Sequence, residues 1–426
     1  MADELTAATV MRTRRLPAFE APFLRAPEGA RRVFLVTLGA ACAPLLAGVV
    51  LFGWRAAVVA CICVAACVII EHVTYRVAHT PALGGRSHAY LTGVLLALTL
   101  PAFTPWYVAV IASAFAVIIG KAVFGGVGHF LWQPALVGRF AVAVMFPALL
   151  APGDWPVLAQ NRLLVGDVTD ARTPMDYRGW QDRSAPEGAD AFRLPHPRRA
   201  LAKLTNRPTD APPAYSGLAM PRLEMPGAAP AALHAPSPDR LPPMRDLVFG
   251  TRPGGIGETC IIVLLVAGGY LVYRDYVRWQ LPVAFLASAW CVAAVAPVQL
   301  AGPSQTVETV WFPLLVEGLD VGFTYVNYQL LSGATVLAAT FLITEMSSRP
   351  ATVGGQVIFG AAAGALAMGL QLYVTAVPIP AYAAVLAMNT FAPWIERMWR
   401  PRVLGRRRLA WLGSLVHPFG ERRPKR

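Results

Sequence analysis

The chain has 426 residues, of which 56% are hydrophobic and only 14% charged. A soluble domain carries about 25% charged residues, so water is excluded as the solvent for most of this surface and lipid is what remains. The net charge of +13 does not read as a nucleic-acid footprint, because no basic stripe is interleaved with aromatic residues.

In chain order, residues 1–32 form a basic N-terminal segment carrying Arg12, Arg14, Arg15, Arg25, Arg31 and Arg32. Apolar runs follow at 33–52, 56–75, 89–101, 106–123 and 138–151, and again at 258–273, 280–299, 329–345, 355–373 and 379–397. The first starts too late and runs too long for a signal peptide, so it reads as a retained helix. A straight crossing needs about 20 residues. The runs at 89–101 and 138–151 fall short of that, and their Gly and Pro punctuation predicts broken or re-entrant helices, which need protein or water to cover the exposed backbone. The expected architecture is an all-α membrane protein of about ten transmembrane helices, one repeat spanning 33–151 and the other 254–397.

The charges of the loops orient this set. With the N-terminus in the cytoplasm, Arg76, Arg86, Lys121, Arg274, Arg278 and Arg349 fall on inward loops, whereas 102–105 and 374–378 carry no Lys or Arg. The basic tail, 398–426, also lies inside. This satisfies the positive-inside rule and places both termini in the cytoplasm of a bacterial inner membrane. Residues 152–253 then lie outside as a polar loop with 17 of the 37 prolines, which deny it long helices or central strands and predict an irregular lobe. The six cysteines all fall in apolar runs and read as small buried residues rather than a disulfide framework or metal cluster. No metal ligand set and no catalytic residue is assigned.

Two five-run halves placed one after the other have opposite orientation. A weak internal echo accompanies this: Leu91-Thr92-Gly93 opens the third run and Leu331-Ser332-Gly333 the eighth. Inverted repeats of this kind place a site near the membrane midplane, where broken helices meet.

Two glycine-rich stretches are the chemical candidates. In Phe124 to Arg139, Gly125, Gly126 and Gly128 permit positive φ and close approach of a ligand or of another backbone; a purely structural re-entrant turn has the same needs. In Phe249 to Cys260, backbone N–H groups around Gly255 and Gly257 suit an anion such as a flavin phosphate, while Glu258 and Thr259 could equally cap a helix. Lys121, Arg139, Glu258 and Glu345 border the bundle. Such groups mark ion paths or ligand contacts, or serve as anchors and intra-bundle pairs; Lys121 and Glu345 are the ion-path candidates.

Together these stretches resemble one family, RnfD/NqrB, whose members are membrane subunits of the Rnf electron-transport complex and of the sodium-translocating NADH:quinone reductase. The matching pieces are Thr92 to Pro101, Gly120 to Arg139, Gly254 to Thr259 with Tyr270 and Arg278-Trp279, and Leu331-Ser332-Gly333 through Gly360 to Pro393. The resemblance implies two inverted five-helix halves in a six-protein complex that moves electrons between ferredoxin or a quinone and NADH, coupled to Na+ or H+ movement. The implied partners are the other proteins of that complex and the bilayer. It also implies FMN, bound through a threonine phosphoester in the outer loop or held without that bond, with riboflavin as a further flavin. Thr173 is the first choice, in Asp167-Val168-Thr169-Asp170-Ala171-Arg172-Thr173-Pro174. Here Arg172 replaces the family's small residue. Tyr215-Ser216-Gly217 is a weaker match, and Ser332-Gly333-Ala334-Thr335 matches better but opens a membrane helix. Glu345 stands where the family shows Asp. The other readings are an inverted-repeat transporter or channel and a flavin-free assembly scaffold.

Overall fold

A computed structural model describes residues 30–77, 88–126, 128–150, 155–158, 191–194, 244–250, 254–301, 307–316, 319–374, 377 and 379–399. The described part is mostly helical. Helix α1 spans Ala30–Phe52 and α2 Trp54–Val77; Gly53, at φ 78°, turns the chain between them. Helix α3, Ala89–Thr99, is followed by α4, Trp106–Val117, which runs on into a π-helical turn, Ile118–Ala122. Helices α5, Pro134–Met145, and α6, Pro147–Leu150, close this region. Short α7, Met244–Phe249, leads to α8, Ile261–Tyr273, and α9, Gln280–Val295. After α10, Pro313–Val316, comes α11, Leu319–Leu331. A break at 332–334 separates it from α12, Thr335–Leu337, which continues into a second π-helical turn, Ala338–Leu342. The long helices α13, Val353–Tyr373, and α14, Pro380–Met398, complete the set.

Among the described residues, three helices are long and apolar enough to cross a membrane: Arg31–Phe52, Trp54–Val77 and Val353–Tyr373. Others are apolar but shorter, among them α3, α5, α8 and α9. Four run boundaries need correction. The run at 89–101 ends as helix at Thr99, where Leu100 turns extended. The helix that enters the run at 138–151 already starts at Pro134, because proline at the first helical position loses no hydrogen bond. The run at 258–273 becomes helical only at Ile261. The run at 329–345 contains the break at 332–334. The chain is also not purely helical. β1, Trp155–Leu158, pairs antiparallel with β2, Ala191–Leu194, and β3, Val298–Ala301, with β4, Val307–Val310. Each is a separate two-stranded ribbon, the first within the polar loop 152–253 and the second between α9 and α10.

Lipid cannot satisfy backbone groups, so these apolar segments close their own hydrogen bonds as helices, and small residues then let helices approach. On α2 the buried residues Ala56, Val59, Ala60, Cys63, Ala66, Cys67 and Glu71 recur at helical spacing and form one face. Cys61 points away from it, exposed. Gly93 of α3 packs on the backbone of that face, where an added Cβ would lie 2.6 Å from Val64 Cα. Helix α2 packs on α3 and α4, and α4 on α5; in the second half α9 packs on α13, and α13 on α14. The core is continuous across both halves.

Candidate functional site

Helix α3 stops inside the protein, leaving carbonyls that its own turns cannot bond. The second half supplies the donors. Gly257 N donates to Leu98 O at 2.8 Å and Ile256 N to Leu100 O at 2.9 Å, and Pro101 pairs with Gly255 as an antiparallel bridge. Arg139, on α5, donates from Nε to Thr99 O at 3.0 Å. Glycine at 257 is required by contact, since a Cβ there would sit 2.6 Å from Leu98.

Glu258 folds back over this strip. Its Oε2 accepts from Gly255 N at 3.0 Å and its Oε1 accepts from the Tyr382 hydroxyl. Glu258 and Tyr382 are also the groups whose charge acts on Arg139. Glu258 therefore does not cap α8, which begins at Ile261 with no side-chain cap. The phosphate reading of this stretch is corrected in the same way. The N–H groups of Gly255, Ile256, Gly257 and Glu258 all bond within the protein, so the strip offers an anion no cradle. Two buried polar atoms here do lack hydrogen-bond partners, Arg139 Nη1 and Thr259 Oγ1. Tyr382 and Thr99 escaped the sequence reading, since nothing local marks either as a contact to residues far along the chain.

Gly125, Gly126 and Gly128 all adopt positive φ, at 95°, 94° and 91°, so side chains are strained at each. They turn the chain from the π-helical segment toward α5. Gly126 N donates to Lys121 O at 3.1 Å, closing that segment. The loop then docks on the far half. Trp132 Nε1 donates to Thr390 Oγ1 at 2.9 Å, and Asn389 Oδ1 accepts from Gln133 N at 3.1 Å. Gln133 caps α5 by accepting from Leu136 N at 2.8 Å. Gln133→Ala should cost about 1 kcal/mol, the usual worth of an N-cap, read as a lowered unfolding midpoint of the purified chain; a change below about 0.3 kcal/mol would show the cap to be idle.

The ion-path candidates come together. Lys121 and Glu345 line one cleft with Phe34, His88, Thr92 and Gln133. Behind it, Lys121 Nζ pairs with Glu71 at 2.9 Å to Oε1 and 3.2 Å to Oε2, with side chains 2% and 4% exposed. Glu71 was missed by the sequence reading; its signal was an acid on an otherwise apolar helical face. His88 Nδ1 and the Tyr90 hydroxyl share a 2.5 Å hydrogen bond, and the His88 ring stacks on Phe34. Thr173 lies outside the described residues.

The sequence matches the NQR2, RnfD, RnfE family over residues 18–405. The chain belongs to that family. Relatives include the RnfD-type member of the ion-translocating oxidoreductase complex of Halorhodospira halophila, 29% identical over 91% of this chain and 95% of the relative. The corresponding member of the proton-translocating ferredoxin:NAD(+) oxidoreductase complex of Clostridium ljungdahlii is 28% identical with the same coverage. That of the ion-translocating oxidoreductase complex of Pectobacterium carotovorum is 29% identical over 91% of this chain and 98% of its own length. This family member is accordingly a multi-pass membrane protein and one component of an Rnf-type ion-translocating complex, with the other components as its partners.

Proposed function

We propose that this Rnf-type protein couples electron transfer through its complex to Na+ or H+ movement across a bacterial inner membrane. One observation carries the reading: Lys121, in a buried ion pair with Glu71, lines a cleft that Glu345 also lines. Charges inside an apolar bundle are costly and are kept where ions or protons pass. In this reading the short helices are halves of broken crossings, ten in all, arranged as two inverted repeats. The recurring packing of α2 on α4 and α4 on α5, and of α9 on α13 and α13 on α14, supports that arrangement. Both termini lie in the cytoplasm, and 152–253 lies outside.

FMN belongs to this reading through Thr173, and not through the strip at 254–259, whose donors are committed to the fold. When bound, a flavin supplies the electron chemistry, and the protein sets its access. The same committed donors favour a flavin-free scaffold as the second reading. In-gel flavin fluorescence separates the two. The chain, made in cells that contain a flavin transferase, should fluoresce after denaturing electrophoresis, and Thr173→Ala should lose at least about nine-tenths of the signal, since a covalent site is all or none. A dark wild-type band together with a colourless native protein supports the scaffold. A bright T173A band moves the attachment elsewhere.

A further inference from the structure

Helices α9 and α13 run side by side in the same direction. A Cβ on Gly360 would lie 2.8 Å from Leu281 O, and one on Gly364, a turn further on, 2.1 Å from Phe285 O. One turn back along both chains, Gln356 therefore stands level with the segment Tyr276–Arg278 that leads into α9. Gln356 Nε2 donates to Pro350 O at 2.9 Å, which ties the loop before α13 to the same level. The connection from α8 to α9 and that from the second π-helical turn to α13 thus meet at one end of the bundle.

This junction gathers polar groups with nothing to bond. Tyr276 Oη, Gln280 Oε1, Ser348 Oγ, Arg349 Nη1 and Gln356 Oε1 are buried without a hydrogen-bond partner, five of the ten such side-chain atoms among the described residues. Tyr276, Ser348 and Gln356 are 7%, 4% and 2% exposed. Buried polar atoms are nearly always bonded, so five bare ones at one end of a bundle mark the place of a ligand.

The charges there do not cancel. Glu345 and Arg278 are the groups whose charges act on Arg349, so two guanidiniums answer one carboxylate. Lys121 leaves that count unchanged, because Glu71 neutralises it at 2.9 Å. The neighbouring sequence pairs Arg274-Asp275 and Glu396-Arg397 each sum to zero. One positive charge is left over. The ligand therefore carries one negative charge, with acceptor oxygens for Arg349, Tyr276 and Ser348 and hydroxyl donors for the two glutamine oxygens. Next to the junction, Trp279 is exposed, and one turn along each helix Val283 and Val357 are exposed. A tryptophan at headgroup depth with apolar residues beyond it is the setting of a lipid.

We propose that Arg278 and Arg349, with the hydroxyls of Tyr276 and Ser348 and the amide oxygens of Gln280 and Gln356, bind the headgroup of a phosphatidylglycerol-type lipid. Its phosphodiester brings the single negative charge, and its glycerol hydroxyls meet the glutamines. Basic pockets between membrane helices hold anionic headgroups in this way. Free phosphate brings the acceptor oxygens without the acyl chains. The site goes beyond the coupling reading and does not depend on it.

The test is native mass spectrometry of the full chain in detergent, titrated with phosphatidylglycerol, phosphatidylethanolamine or phosphatidylcholine. The wild type should hold one phosphatidylglycerol at least about tenfold more tightly than either zwitterionic lipid, since each arginine near an anionic headgroup is worth about fivefold. Arg278→Gln and Arg349→Gln should each weaken that binding about fivefold, and Arg349→Lys should keep most of it. Gln280→Leu should erase the preference for phosphatidylglycerol over phosphatidylethanol, which has the same charge and no headgroup hydroxyl; a loss of stability alone would not change that ratio. Equal binding of the three lipids, or unchanged phosphatidylglycerol binding by R278Q/R349Q, overturns the site. Displacement of the lipid by excess inorganic phosphate overturns the lipid assignment and keeps the anion site.

Discussion

Glu71→Gln alone is expected to destabilise the folded chain by about 3–5 kcal/mol, the range for breaking one partner of a buried ion pair. The reason is the ammonium left behind. Lys121 is 2% exposed, and its charge was brought into a low-dielectric bundle against the Glu71 carboxylate at 2.9 Å. The glutamine keeps the shape and one hydrogen bond but removes the charge. Glu71→Gln/Lys121→Gln should recover most of the loss, because two neutral groups of similar shape replace two charges, and such swaps are often close to neutral. The measurement is equilibrium unfolding of the purified chain in detergent for the wild type, both single variants and the double. The cycle should show a coupling of about 2–3 kcal/mol, the upper range for directly contacting residues. A coupling under about 0.5 kcal/mol would mean that the two charges are solvated independently, as distant sites are.

The relation between sequence and structure is uneven, and the unevenness has physical causes. Lipid-facing segments were readable because hydrophobicity is summed over whole runs, and the loops with Arg and Lys separated them. Helix ends were less so. Whether a run stops at Thr99 or Pro101 depends on partners more than 150 residues away, the N–H groups of Ile256 and Gly257. The glycines at 125, 126 and 128 were legible, since their positive φ is a local property. Those near 255 were noticed for their flexibility, but their partners are distant or carried by the strip itself: Ile256 and Gly257 donate to the carbonyls of Leu100 and Leu98, and Gly255 to the Glu258 carboxylate. Lys121 and Glu345 stood out as charges at the margins of apolar runs. Glu71 did not, because it lies near the end of a run and looks like an interface residue until the face formed by Cys63, Cys67 and Glu71 is seen to be buried. Gln133 and Asn389, far apart in the sequence, turn out to touch. Thr173, the flavin candidate, lies outside the described residues, so its reading stands on sequence alone.

Glu258→Leu should be nearly as damaging, by about 3–5 kcal/mol, for a different reason. One carboxylate serves several groups where the halves meet. It accepts from Gly255 N and from the Tyr382 hydroxyl, and its charge acts on Arg139. Leucine removes the acceptor of two buried hydrogen bonds, each loss costing about 1–3 kcal/mol, and removes the negative charge that acts on Arg139, which is 4% exposed. Glu258→Gln should cost less, because an amide oxygen still accepts from one donor. Tyr382→Phe should cost least, about 1–2 kcal/mol, because it deletes one partner of a bond to a charged acceptor. Global unfolding ranks the three, and amide exchange locates the damage. Exchange at Ile256 and Gly257 should accelerate in Glu258→Leu before exchange in α13 does, because those amides bond to the stopped end of α3 and depend on the fold that Glu258 holds. Uniform acceleration across both halves would assign Glu258 to overall stability rather than to the seam. The order Leu, Gln, Phe also tests the seam chemically: if Glu258→Gln were as damaging as Glu258→Leu, charge toward Arg139 rather than the two accepted hydrogen bonds would be what keeps the halves joined.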